Sequence, residues 1–141
     1  MVAQLYIGLQ REASRNDQSI IGSRAKVDAQ DKDGCTALHW TSSRGYFKVT
    51  SHLLTAIAKN DVQDKDGRTA LQLAASNGRT EVTSQLLAAR ANVDMQTKNG
   101  ATALHKAAKC GSAEVTRQLL AARAKVDVQD KGGKTASHLM L

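Results

Sequence analysis

The 141-residue chain contains no proline, and its aromatic residues are one Trp, two Tyr and one Phe. Without proline, no helix start has its φ fixed by a ring. With aromatics at 3% of the residues, a core cannot lean on large rings, so burial must come from Leu, Val and Ala methyls at many narrow, repeated contacts. No apolar run of about 18 residues occurs, which excludes a membrane-spanning helix. The opening "MVAQLYIGLQREASRND" has neither the basic n-region nor the apolar h-region of a signal peptide. The expected compartment is therefore the cytoplasm, with the nucleus as the alternative. What remains, 41% hydrophobic and 23% charged residues, is the composition of an ordinary globular domain.

A repeated phrase is what the chain does have. "DKDGCTALHW" from Asp31 returns as "DKDGRTALQL" from Asp64, "TKNGATALHK" from Thr97 and "DKGGKTASHL" from Asp130. Its glycines, Gly34, Gly67, Gly100 and Gly133, are 33 residues apart each time, and a fixed period of this size marks a stacked repeat array. Residues 64–96 and 97–129 share 21 of 33 positions without a gap. Full units therefore run 31–63, 64–96 and 97–129, followed by a truncated unit at 130–141 and preceded by a divergent N-terminal cap at 1–30. In that cap Glu12 stands where later units have Gly45, Gly78 and Gly111, and Asn16 where they have Val49, Val82 and Val115.

Each unit has the same internal logic. Thr36, Thr69, Thr102 and Thr135 are good N-caps for a short first helix, which closes at Gly45, Gly78 or Gly111. A second helix follows on Val49, Leu53 and Leu54 and their copies Val82, Leu86, Leu87 and Val115, Leu119, Leu120, spaced i, i+4, i+5. Helices this short persist only by burying one face on the next unit. The segment that follows rebuilds an extended stretch and a turn, with Gly34, Gly67 and Gly100 where a positive φ is needed. Cys35 and Cys110 lie at different places in units two repeats apart, about 15 to 20 Å at the usual layer spacing, beyond disulfide reach. Both are expected to be free thiols, as in a reducing compartment.

The pattern "DGxTALHxA", with the later "G", "EV", "LL" and "VD" at a 33-residue period, closely resembles the ankyrin repeat. The resemblance implies an all-α repeat fold, a solenoid of helix-turn-helix units joined by β-turn or hairpin fingers. It also implies a binding surface made of the fingers and the first helices. Two departures stand out. Ala37, Ala70, Ala103 and Ala136 replace the family's usual proline, which should soften the caps. Arg24, Ile57, Arg90 and Arg123 replace the glycine at the end of the second helix, so that end either closes without a left-handed residue or bears strain. Asn60, where other units carry Val27, Val93 and Val126, should lower the apolar burial of its junction.

Sharper chemical readings do not hold. His39, His105 and His138 recur at one position, but successive layers separate them and no Cys or carboxylate column completes a ligand set. Gln72 at the same place makes a poor metal ligand, and the resemblance implies structural hydrogen bonds instead. "GKT" at Gly133–Thr135 lacks the phosphate-loop glycine five residues upstream, where Val128 stands. Cys35 and Cys110 have no base fixed by local sequence, which leaves a reactive thiol as a minor alternative. No enzymatic activity, cofactor or metal is expected, and His52 reads as a surface residue of the second helix.

The charge is more informative. Lys and Arg exceed Asp and Glu by 20 to 13, giving +7, yet units 31–63 and 64–96 carry +1 and 0 while 97–129, with six basic and two acidic residues, carries +4. A solvated lysine face accounts for this charge as well as a binding surface does. The resemblance places partner contacts at Lys32, Asp33, Cys35, Trp40 and Arg44 in the first full unit, and at Lys65, Asp66, Arg68 and Asn77 in the second. They continue at Lys98, Asn99, Lys106 and Lys109 in the third and at Lys131 and Lys134 in the last. Trp40, the only tryptophan, is the foremost candidate, since indoles supply much interface energy; packing between first helices is its alternative role. The expected partner is a protein with an apolar anchor and acidic residues towards the C-terminal units. Nucleic-acid binding through the basic C-terminal units is the alternative, weakened by the lack of interleaved aromatics. Weak self-association is expected through an apolar end left at Leu119, Leu120 and Leu139–Leu141.

Overall fold

The computed structural model describes residues 28–56 and 58–139. Residues 1–27 of the expected cap, Ile57 and the last two residues lie outside the described residues. Among the described residues seven helices follow one another: α1 (Ala37–Arg44), α2 (Phe47–Thr55), α3 (Ala70–Ser76), α4 (Thr80–Ala88), α5 (Ala103–Cys110), α6 (Ala113–Ala121) and α7 (Ala136–Leu139). First helices pack on first helices, α1 on α3, α3 on α5 and α5 on α7, while the second helices α2, α4 and α6 form a parallel row. Two layers result, and the described residues include no strand.

The core is aliphatic throughout. Leu38, Leu53, Leu71, Leu86, Leu104 and Leu119 are fully buried, one per helix of the three full units, with Ala37, Ala70 and Ala103 beside them. A Leu at each such position gives up about 2 to 3 kcal/mol of unfavourable hydration on burial. That offsets the ordering cost of helices seven to nine residues long, which alone would not persist in water. Leu119, expected at an open end, is covered; Leu120 is 45% and Val126 54% exposed. The Leu139 side chain and the two residues after it fall outside the described set.

The turns between units repeat closely. Gly34, Gly67, Gly100 and Gly133 have φ of 77 to 79°, and their amides donate to Asp31, Asp64, Thr97 and Asp130 carbonyls at 2.8 to 2.9 Å. A second constraint acts at Gly67: a Cβ there would stand 2.9 Å from the Lys98 amide nitrogen and 3.1 Å from the Thr97 Cα. Glycine is thus required both by the left-handed backbone and by the closeness of the next turn. That closeness serves a bond, because Lys65, Lys98 and Lys131 amides donate to Asp33, Asp66 and Asn99 carbonyls at 2.9 to 3.0 Å. This one backbone bond per junction ties each finger to the next without making a strand.

The second-helix ends resolve the choice left by the sequence. Arg90 and Arg123 adopt φ of 63° and 65°, with Ala91 and Ala124 amides donating to Leu86 and Leu119 carbonyls at 3.0 Å. The closure is the left-handed one, and these arginines bear its strain. Asn60 does more than leave apolar area unburied: its amide donates to the Ala89 carbonyl at 2.9 Å and ties two units together.

One buried hydroxyl is mismatched. Thr50 donates to Thr41 at 3.0 Å inside the first full unit. In the next, Ala74 stands in Thr41's place, and the fully buried Thr83 hydroxyl has no hydrogen-bond partner among the described residues. Thr83→Val should therefore raise unfolding free energy by about 1 kcal/mol, because a desolvated, unmade hydrogen bond is exchanged for a methyl. Arg90→Gly should add about 0.5 to 1 kcal/mol, the relief of left-handed strain outweighing the added freedom of the unfolded chain. Urea titrations showing lower midpoints for both variants would contradict these assignments.

Candidate functional site

The candidate surface rests on a device at the third residue of each first helix. The Thr36 hydroxyl accepts the His39 amide while the His39 Nδ1 accepts the Thr36 amide at 3.0 Å, a capping box with imidazole in the usual Glu or Gln position. The acceptor role of Nδ1 places the ring proton on Nε2, which donates to the Arg68 carbonyl, 2.9 Å away in the next unit. His105 repeats this with Thr102 and the Lys134 carbonyl. Gln72 does the same as an amide, accepting from Thr69 at 2.8 Å and donating to Met95 and Ala101 carbonyls. Both ring nitrogens of His39 and His105 are committed to this frame. His138 caps Thr135 likewise but lies exposed, and His52 is half-buried rather than on the surface.

Around the early fingers the charges are spent on one another. Lys65 Nζ meets Asp33 Oδ1 at 2.8 Å, and Arg68 Nε meets the buried Asp64 Oδ2 at 2.8 Å, with its Nη2 at 3.7 Å from Asp66. The Lys65 hydrogen bond and charge hold the Asp33 carboxyl below its ordinary value, and Asp33 raises Lys65 in return. Burial pushes Asp64 upward, but hydrogen bonds from Arg68 and from the Asp66 amide overbalance it and leave its value lowered. Burial, helped by Asp31 and Asp64, pushes the Cys35 thiol up to about 11, so Cys35 is a protonated thiol at neutral pH and a poor nucleophile. Lys32 is exposed at the first finger tip.

Towards the C-terminal units the picture changes. Lys98, Lys109, Lys131 and Lys134 are exposed and Lys106 half-buried, and none makes an ion pair among the described residues. Burial, then the charges of Lys109 and Arg68, lower Lys106. Asn99 gives its carbonyl to Lys131. Asn77, expected to contact a partner, donates to Ser43 Oγ at 3.1 Å and to the Leu73 carbonyl at 3.0 Å, so its amide holds two units together.

Trp40 is half-buried in the row continued by Leu73 and Lys106. The Arg44 guanidinium lies 5.6 Å from its ring centroid, within cation–π range. Trp40, Leu73, Cys35, Ser43 and Arg68 line a cleft of about 170 Å³ between the first two full units. The half-buried ring therefore forms one wall of a cleft between the first helices α1 and α3.

Family models for ankyrin repeats match this chain in two stretches, one for three copies over residues 12–96 and one for many copies over residues 86–139. The chain belongs to the ankyrin repeat family. No curated protein matches it. Ankyrin repeats generally mediate protein–protein interaction and are typically non-enzymatic modules. No helix among the described residues is long and apolar enough to cross a membrane.

Two features of this ankyrin array escaped the sequence reading. Tyr46 and Phe47 are exposed, Phe47 by 46%, at the start of the second helix, where the later units have Arg79, Thr80 and Ser112, Ala113. An aromatic pair at a position otherwise small or polar was the available signal. Arg79 reaches back to the Ser43 carbonyl at 3.1 Å, a bond across 36 residues that no local pattern announces.

The ankyrin frame makes a pH prediction. Burial lowers His39 from its ordinary 6.5, against smaller opposing effects of its Arg68 carbonyl bond and Asp64. The fold favours neutral His39, so its contribution is full above about pH 6.5 and is lost as pH falls through the lowered value. The lowered carboxyls Asp33, Asp64 and Asp130 lose theirs only below the ordinary carboxylate range. His39→Gln, which copies Gln72, should cost under about 1 kcal/mol at neutral pH and flatten the stability loss as pH falls below about 6.5, whereas His39→Ala should cost about 2 to 3 kcal/mol. Equal costs for the two variants, or an unchanged pH slope in His39→Gln, would remove the two-bond role.

Proposed function

We propose that this ankyrin array is a non-catalytic adaptor, binding a protein partner across its fingers and first helices. One observation carries the reading. A half-buried tryptophan opens onto a cleft in the same helix row whose next unit presents Lys106 and Lys109 without a carboxylate. An aromatic anchor beside uncompensated charge is the usual make-up of an interface centre and its rim. Lys32, Lys98, Lys131 and Lys134 extend the surface along the finger tips, and Arg44 stiffens the Trp40 ring. Two free thiols suit a reducing compartment, the cytoplasm or the nucleus.

Nucleic-acid binding through the basic units is the weaker reading. The lysines there have no aromatic neighbour to stack bases, and Trp40 belongs to a unit two repeats away.

Cross-linking capture from lysate, followed by binding kinetics on the identified partner, tests the proposal. Charge reversal at Lys106 and Lys109 should slow association about tenfold and flatten its salt dependence, while Trp40→Ala should mainly speed dissociation. Phe47→Ser and Ser84→Arg, on the second-helix side, should change neither rate. If only the second-helix variants weaken capture, the binding face is misassigned. General RNA binding with a steep salt slope would favour the other class.

A further inference from the structure

The described residues sort the candidate surface into a neutral half and a cationic half, and that order constrains the partner beyond its class. In the first two full units, Asp33, Asp64 and Asp66 already hold Lys65 and Arg68. The Arg68 fork, the group best shaped for bidentate grip on a phosphate, is occupied. Of the first layer's cations, Lys32 is exposed at the finger tip and Arg44 lies over the Trp40 ring; from the third layer on, the cations of this face without an ion pair among the described residues are all lysines, Lys98, Lys106 and Lys109 and then Lys131 and Lys134. Between layers one and two of this row lies the cleft walled by Trp40 and Leu73, with Ser43, His39 and Arg68 at its polar edge. Anchor and charge therefore succeed one another along the stack.

We infer that the first-helix face takes an extended acidic segment in register with the repeats, one apolar side chain in the Trp40–Leu73 cleft and its carboxylates on Lys106 with Lys109 and then on Lys134. The register follows from two lengths. Packed helix layers are about 8 to 10 Å apart, and an extended chain rises about 3.3 Å per residue, so about three residues of ligand span one layer. The carboxylates then fall about three to four, and six to seven, residues from the anchor. A helical ligand, rising about 1.5 Å per residue, would need twice as many. Lysine point charges suit single carboxylates arriving at intervals better than one converging phosphate. Burial first, and then the neighbouring Lys109 and Arg68 charges, lower the proton affinity of Lys106, and a carboxylate placed there would offset both.

The inference rests on the proposed binding face, and its test separates the two. The probes are fluorescently labelled, end-capped Ser/Gly peptides of roughly twelve residues carrying one Leu and two Glu. In two of them the Glu residues sit at the spacing above, with the Leu at one end or the other. In a third they adjoin the Leu, and a fourth has Glu without Leu. Emission of Trp40, the sole tryptophan, and peptide anisotropy report binding, with labelled oligouridylate as the nucleic-acid arm. At least one spaced peptide should shift Trp40 emission and bind about tenfold more tightly than the adjacent-Glu peptide. Lys106→Glu with Lys109→Glu should abolish the gain, and the milder Lys106→Gln should reduce it without altering the melting curve. Trp40→Ala, read by anisotropy, should lower the affinity of the spaced peptide to that of the Leu-free one. Equal binding of spaced and adjacent peptides, still lost on charge reversal, would overturn the register and leave the face standing. Binding indifferent to both Trp40→Ala and charge reversal would overturn both. Failure of every peptide at about millimolar concentration, or tighter binding of oligouridylate than of any peptide, would overturn the inference.

Discussion

The bond from the third residue of each first helix to the next finger is what the rest of the array depends on. His39, Gln72 and His105 each close a helix start with one atom and reach the following unit with another. A helix of seven or eight residues forms too few internal bonds to repay its nucleation. A buried cap that is also an inter-unit bond makes helix formation and stacking a single event. The missing proline matters less than the sequence implied for the same reason. Ala37, Ala70 and Ala103 leave φ unfixed, but reciprocal capping bonds hold the start where a ring would have.

With the frame held this way, the exposed positions are free to differ, and they differ in a directional manner. A backbone bond ties each finger to the next at all three junctions, so this tie does not depend on which side chains stand at the tips. In the first two full units those side chains pair among themselves across 32 residues, as Lys65 does with Asp33. Exposed pairs of this kind add little stability; their consequence is to cancel charge. In the third finger Asn99 stands where Asp66 does, and from that unit onward the finger and first-helix lysines make no ion pair among the described residues.

The frame was legible because one residue type answers one physical demand at each repeat. Gly67 has to accept both a left-handed φ and a neighbouring backbone, Thr69 has to cap, and Leu86 has to fill the interior; a period of 33 residues repeats those demands. Where the chain departs from its own pattern, sequence gave alternatives rather than answers. Arg90 was compatible with a closed or a strained helix end until its φ of 63° decided it. The bond of the exposed Asn77 to Ser43 across 34 positions was not legible, because an amide looks alike in sequence whether it faces solvent or a neighbouring unit. The pairing of Lys65 was equally hidden, since a charge count cannot show which charges meet.

Trp40 joins the two sides of this division. Its counterparts Leu73 and Lys106 run from apolar to charged along one helix row, so the same position is cleft wall in two layers and cation in the third. On the proposed face, a row whose polarity changes over about 10 Å per layer would present a partner with an order of contacts rather than a uniform patch. Slipping a ligand by one layer would put its apolar side chain against Lys106 or a carboxylate into the Trp40–Leu73 cleft, and a charge desolvated without a partner is costly. Specificity of this kind depends on the order of unlike contacts, which a run of identical repeats cannot supply, and so it has to reside in the positions where these repeats differ.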